Sequence, residues 1–305
     1  MPKTRSLRGI IPVLSTPLLK DGSIDEEGLE RLVQFLIGKG AGGFWALGTG
    51  SEDMNLSFGK RVQVARVISE VNAGRVPVLL GAAFYALEDI LRFINETHGL
   101  EIDAFHIMVY HPLLGDDRVE WLYRHIADHS PKPIWMYSSA NYGRSMAPQT
   151  AARLKEHPNI QGIKFSSRNA EDVAKVIMLA DDTFQVITAV ASTLYACLCL
   201  GVKAHTTSLA SCLPEILTNI YNLFQGGKRE EALGEQRRLI KFLDALPKAP
   251  RRDNFFQAAE EKYILSLRKL TQEHMSSYYR GLTNDEKTRV RKALIKYKII
   301  PSFEE

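Results

Sequence analysis

Tyr137 closes the apolar tripeptide Trp-Met-Tyr, and Lys164 closes Ile-Gln-Gly-Ile-Lys, so each side chain stands at the end of a short apolar run. An apolar surround disfavours an ammonium ion and lowers a lysine pKa. The neutral amine is a nucleophile toward a carbonyl carbon, and loss of water from the adduct gives an imine. A phenol next to it relays protons to a carbinolamine or a leaving hydroxyl, although with an ordinary pKa of about 10 it is a weak base unaided. Ordinary roles also fit these two residues: a solvated or ion-paired lysine, and a tyrosine packed in a core or interface.

For the pair to meet, the runs that carry them must be neighbouring strands ending on one side of a sheet. Short apolar runs recur along the chain, at 10–14, 43–47, 76–80, 104–109, 134–137, 160–164, 184–188 and 202–206. They are mostly unalternated, as expected of strands covered on both faces. Helical patterns separate them, the clearest at 25–38, 58–71, 119–129 and 169–179. Asp25 and Ser57 are placed as N-caps, and Pro148 suits the first turn of a helix that ends before Pro158. Eight strand-then-helix units predict an α/β fold, a (β/α)8 or TIM barrel, whose strand ends share one face.

The length of 305 residues is compatible with one such barrel and an addition. Strand signals cease near residue 225, and amphipathic helices follow at 230–243, 255–267 and 284–296, with a further helix and a turn expected within 270–281. The expected division is a barrel over 1–225 and a C-terminal helical region over 226–305 packed on it.

Composition narrows the class. With 45% hydrophobic and 24% charged residues, the chain is that of a globular protein. Thirty-nine Lys and Arg against thirty-five Asp and Glu leave +4, without a basic tail, so nucleic acid is not an expected partner. The most apolar later stretches, such as 187–202, are too short and too interrupted for a membrane span. Three cysteines, Cys197, Cys199 and Cys212, form no complete disulfide framework, and the start has no signal-peptide core, so a cytoplasmic location is expected. The eight histidines match no metal-ligand spacing, and no full glycine-rich phosphate or dinucleotide motif is present. Neither a metal nor an organic cofactor is expected.

Five segments together resemble the N-acetylneuraminate lyase and dihydrodipicolinate synthase superfamily: TPLLKDGSIDEEGLERLV at 16–33, GTGSEDMNLS at 48–57, GIK at 162–164, LGVKAHTTSLASCLP at 200–214 and YYRGLTNDEKTRVRKAL at 278–294. The resemblance implies a barrel with a helical tail, commonly a homotetramer built as a dimer of dimers, and class I chemistry on pyruvate or another 2-keto acid. By it, Lys164 forms the imine and Tyr137 transfers protons. Thr49, Gly50 and Ser51 match the loop that binds the keto-acid carboxylate, with Gly50 where a second threonine is common and Ser51 where glycine is usual. Thr206 is expected at the eighth strand end. Tyr110 and His111 match an adjacent aromatic pair that contributes to a proton relay across the dimer, with His111 replacing the second tyrosine.

The outer pocket departs from the family's pattern. Ser138 to Arg144 replace a loop that ordinarily contains asparagine and proline, and Arg144 follows the matched glycine rather than preceding it. Ala189 and Val190 stand where a glycine and an acid are frequent, which suggests a smaller or more apolar outer pocket than a sugar acid requires. The implied activity is a lyase or aldolase that cleaves or forms a C–C bond next to a pyruvate unit. A 2-keto-3-deoxy sugar acid dehydratase and a noncatalytic keto-acid-binding protein remain as alternatives.

Overall fold

A computed structural model describes residues 3–111, 113–139, 145–254 and 258–300. Eight parallel strands form one sheet: β1 (Gly9–Pro12), β2 (Phe44–Ala46), β3 (Val78–Gly81), β4 (Ala104–Met108), β5 (Ile134–Ser139), β6 (Ile160–Ser166), β7 (Gln185–Ala189) and β8 (Ala204–Thr207). Each strand pairs with its sequence neighbour, and β1 also pairs with β8. A bridge from Val13 to Trp45 and bonds from Leu14 N to Trp45 O (3.0 Å) and Gly42 N to Ile10 O (2.9 Å) join β1 to β2. The sheet therefore closes into the barrel, and the predicted strands lie within one or two residues of their expected positions.

Helices α1 (Glu26–Gly38), α2 (Phe58–Asn72), α3 (Leu87–Thr97), α4 (Asp116–His129), α5 (Pro148–Lys155), α6 (Ala170–Ile177), α7 (Leu194–Cys199), α8 (Leu209–Cys212) and α9 (Pro214–Gln225) follow the strands. Their starts obey local chemistry. Asp25 accepts the Gly28 amide at 2.9 Å and Ser57 accepts the Lys60 amide at 3.4 Å, while Asn169 accepts two amides of α6.

Apolar packing forms two layers. Strand residues such as Phe44, Phe105 and Phe165 meet helix residues such as Leu32, Phe93 and Leu217 outside the sheet. Ile11, Trp45, Leu79, Trp135 and Ile187 fill the barrel interior. Gly162 shows how tight that interior is: a Cβ there would lie 2.5 Å from the Trp135 indole.

Beyond α9 come α10 (Arg229–Ala245), α11 (Ala249–Asp253), α12 (Ala258–Leu267) and α13 (Asn284–Lys296). The expected helix within 270–281 is not formed; that stretch is irregular, with a turn near Ser277. Side chains from elsewhere take its backbone groups. Ser276 N donates to Glu52 at 2.8 Å and the Lys262 ammonium donates to His274 O at 2.7 Å, which leaves those groups unavailable for a helical ladder. Among the described residues, no helix is long and apolar enough to cross a membrane.

Candidate active site

Lys164 is the fifth residue of β6, a strand buried along its whole length, and register pairs it with Tyr137 on β5 and Ile187 on β7. Only 4% of it is exposed. Its ammonium nitrogen lies 4.1 Å from the centroid of the Tyr137 ring and 4.8 Å from that of Trp45. It has no ion-pair partner among the described residues. Burial lowers its pKa from 10.5 to about 7, against a smaller opposing pull from the Asp53 carboxylate. The two ring faces favour a cation but do not replace the lost water.

Thr49 Oγ1 and the Tyr137 phenol oxygen are 3.0 Å apart, either able to donate. Thr49 opens a single 3-10 turn, Thr49–Ser51, directly after β2. Thr49 and Gly50 face the same cleft as Tyr137 and Lys164. Ser51 is fully buried, and its hydroxyl accepts the Gly48 amide at 3.2 Å, closing the turn on itself. Of the three loop residues, Ser51 alone is not in the cleft wall.

Gly50 has a steric explanation. A Cβ there would stand 2.8 Å from the Ser208 Cβ and 3.1 Å from Val13 Cγ1. Ser208 thus occupies the space that a side chain at position 50 would need, and it brings its own hydroxyl to the cleft, where it donates to Glu261 at 2.8 Å. Thr206, fully buried at the end of β8, also reaches the cleft, and its hydroxyl has no hydrogen-bond partner among the described residues.

Tyr110 is buried and donates to Asp53, at 2.9 Å to Oδ2 and 3.2 Å to Oδ1. Burial, with the Asp53 charge adding to it, raises the Tyr110 phenol well above its usual value. Burial also raises the Asp53 carboxyl, and the charge of Arg61 counters part of that. His111 is half-buried, and its Nδ1 accepts the Leu113 amide at 3.3 Å. Neither Tyr110 nor His111 is part of the cleft wall. Arg144 lies outside the described residues.

Several residues at the site carried no sequence signal of their own. Trp45 stacks on His106 with centroids 3.9 Å apart, and His106 Nε2 meets Ala46 O at 2.9 Å. Burial and the charge of Lys164 hold His106 well below its usual pKa. Asp53 sits in the acidic stretch after the loop, where a carboxylate ordinarily reads as a solvated turn residue.

The cleft lies at the C-terminal ends of the strands and offers about 120 Å³ of accessible space. Ala189 and Val190 form part of its wall, as their place after β7 requires. The outer wall is nonetheless polar: Ser166, Arg168 and Ser192 come from the barrel, and Arg251 comes from α11. Leu243 of α10 completes it, so the helical tail supplies part of the site. Among the described residues, no three His, Cys, Asp or Glu side chains group as metal ligands.

Comparison with known proteins agrees with this architecture. Residues 6–296 match the Dihydrodipicolinate synthetase family. The 4-hydroxy-tetrahydrodipicolinate synthase of Syntrophus aciditrophicus (strain SB) is 29% identical over 243 residues, covering 78% of this chain and 82% of that enzyme. The synthase of Archaeoglobus fulgidus is 28% identical over 242 residues, covering 78% and 82%. Among solved structures, dihydrodipicolinate synthase from Bacteroides thetaiotaomicron superposes with a TM-score of 0.88 at 25% identity, covering 95% of this chain and 98% of that one. The E. coli K12 prophage protein YagE, solved with pyruvate, gives 0.86 at 22% identity, covering 96% and 99%.

Proposed function

The chain belongs to the dihydrodipicolinate synthetase family, and from that premise we propose that it is a cytoplasmic class I lyase or aldolase that acts on pyruvate or a 2-keto-3-deoxy acid through an imine on Lys164. The observation that carries the assignment of residues is the setting of Lys164: a buried, unpaired amine between two aromatic rings, with a hydroxyl pair next to it. With a pKa of about 7, roughly half of the side chain is the free amine at neutral pH.

The amine nitrogen attacks the keto carbon, and the resulting carbinolamine loses its hydroxyl as water. Tyr137 supplies that proton, and Thr49, 3.0 Å away, holds the phenol in place. The protonated imine then draws electrons from the adjoining C–C bond. In cleavage, the bond beyond C3 breaks, its electron pair forms the enamine, and the hydroxyl proton of the departing aldehyde passes to Tyr137. Protonation at C3 and addition of water release pyruvate and regenerate the amine. Condensation is the reverse, with the enamine carbon attacking an aldehyde.

The keto-acid carboxylate is assigned to the Thr49 and Gly50 turn, with the unpartnered Thr206 hydroxyl on the facing strand end. Asp53 acts through Tyr110 and through its field on Lys164. A homotetramer is the assembly this reading adopts. Its support is the family's habit together with Tyr85 and Leu113, large apolar side chains 65% and 86% exposed, which flank Tyr110 and His111. Sedimentation velocity tests the assembly.

Borohydride reduction in the presence of pyruvate tests the chemistry. The intact protein is expected to gain the mass of one reduced pyruvate per chain, and a Lys164→Met variant is expected to gain none. Equal labelling of the two proteins would overturn the assignment.

A further inference from the structure

The cleft wall contains two cations with no partner among the described residues. Arg168, in the loop after β6, and Arg251, on α11, both line it. Neither guanidinium makes an ion pair or a hydrogen bond to any described residue. The Arg251 Nε–H is buried as well as unbonded. An unmatched buried donor on a cation is costly, and the cost is removed when an anion fills the site. By contrast, Arg5, Arg124, Arg153, Arg238 and Arg280 each hold a carboxylate.

Glu260 does not satisfy Arg251. Glu260 on α12 lies within its field, but both carboxylate oxygens of Glu260 are without hydrogen bonds. Burial raises the Glu260 pKa to about 7, so its charge is partly suppressed near neutrality. The planar donor fork of arginine matches the two oxygens of a carboxylate or a phosphate. Leu243 adds an apolar side chain to the same cleft wall.

We propose that Arg168 and Arg251 form a distal oxyanion site, so that the substrate is a 2-keto acid with a second anionic group, carboxylate or phosphate ester, at the end remote from the keto carbon. This deepens the imine reading and rests on it for the orientation of the substrate. It also assigns the helical tail a part in specificity: α11 delivers one of the two arginines that read the far end of the molecule. The apolar side chains Ala189 and Val190 bring no acid to this wall, so no carboxylate from them competes for those arginines.

The test measures half-saturating concentrations for borohydride-trapped adduct with matched probes. The 2-oxo diacids of four to six carbons are compared with the 2-oxo monoacids of the same length, and 2-oxo-3-deoxy-6-phosphogluconate is compared with its unphosphorylated form. The wild-type protein is expected to prefer the doubly anionic member of at least one pair by about tenfold or more. Arg251→Gln and Arg168→Gln should each reduce the preference, and the double variant should abolish it, with pyruvate trapping unchanged in all three. Which pair shows the preference separates carboxylate from phosphate.

No preference in any pair, or a preference that survives in the double variant, would overturn the distal site while leaving the Lys164 imine intact. Failure of pyruvate itself to trap would instead overturn the imine reading. The distal site is then decided by calorimetric titration of the same pairs, where equal affinities for the two members sink it.

Discussion

Lys164 and Tyr137 are direct register partners on adjacent parallel strands, and the lysine nitrogen rests 4.1 Å from the tyrosine ring centroid. The ring and the hydroxyl of Tyr137 therefore do separable work, the ring packing against the amine and the hydroxyl reaching Thr49. Tyr137→Phe keeps the ring and removes only the proton carrier. Its kcat is expected to fall by about a hundred- to ten-thousandfold, while pyruvate still traps on Lys164, more slowly. Turnover within a few fold of wild type would remove Tyr137 from the chemistry.

The lowered Lys164 pKa has a stability consequence of definite sign. In the unfolded chain the amine titrates near 10.5 and in the folded chain at about 7, so between those values the unfolded state binds the extra proton. Stability contributed by this group thus falls as pH drops from 10.5 to 7 and is constant below. Lys164→Met removes the penalty. The variant should exceed wild type in urea unfolding by on the order of 4 kcal/mol at pH 7, with the gap shrinking toward pH 10. A gap that does not change with pH would contradict the burial account.

Gly50 and Ser208 share one volume, since a Cβ at position 50 would come within 2.8 Å of the Ser208 Cβ. Gly50→Thr alone is expected to destabilise the protein by about 1–3 kcal/mol through overpacking. Adding Ser208→Gly should recover part of that loss, even though Ser208→Gly by itself removes the bond to Glu261. Thermal unfolding of the four proteins measures the coupling. Strict additivity would mean that the two positions do not compete for space.

Glu52 follows the loop with a left-handed backbone (φ 59°), and its carboxylate meets the Lys262 ammonium at 2.5 Å, both side chains 1% exposed. This pair anchors α12 of the tail to the loop that also presents Thr49. Lys262→Met leaves a buried carboxylate unpaired and should cost about 3–5 kcal/mol. Replacing both residues, Glu52→Gln with Lys262→Met, should cost less than Lys262→Met alone. A loss below 1 kcal/mol for the single variant would show that water reaches the carboxylate.

Much of the barrel was legible because its signals are local. Asp25, Ser57 and Asn169 cap the helices that they precede, and unalternated apolar runs mark strands covered on two faces. Tyr137 and Lys164 could be placed on one face because parallel strands of a barrel end together. The outer pocket was not legible. Arg251 and Leu243 reach the cleft only because α10 and α11 return to the barrel mouth, a long-range docking that no periodicity reports. Gly50 stands where a second threonine is common because Ser208, far along the chain, fills the space a side chain there would need. A helix is expected within 270–281, yet bonds to Glu52 and Lys262 take backbone groups that a helix would need. Local preference yielded there to tertiary partners.

The most direct test of the central claim is peptide mapping after reduction of the pyruvate-treated protein with borohydride. The account predicts a single modified residue, Lys164, within the β6 peptide, and retention of unmodified Lys262, the other fully buried lysine described. Labelling at Lys262 or at scattered surface lysines, with Lys164 unmodified, would contradict it.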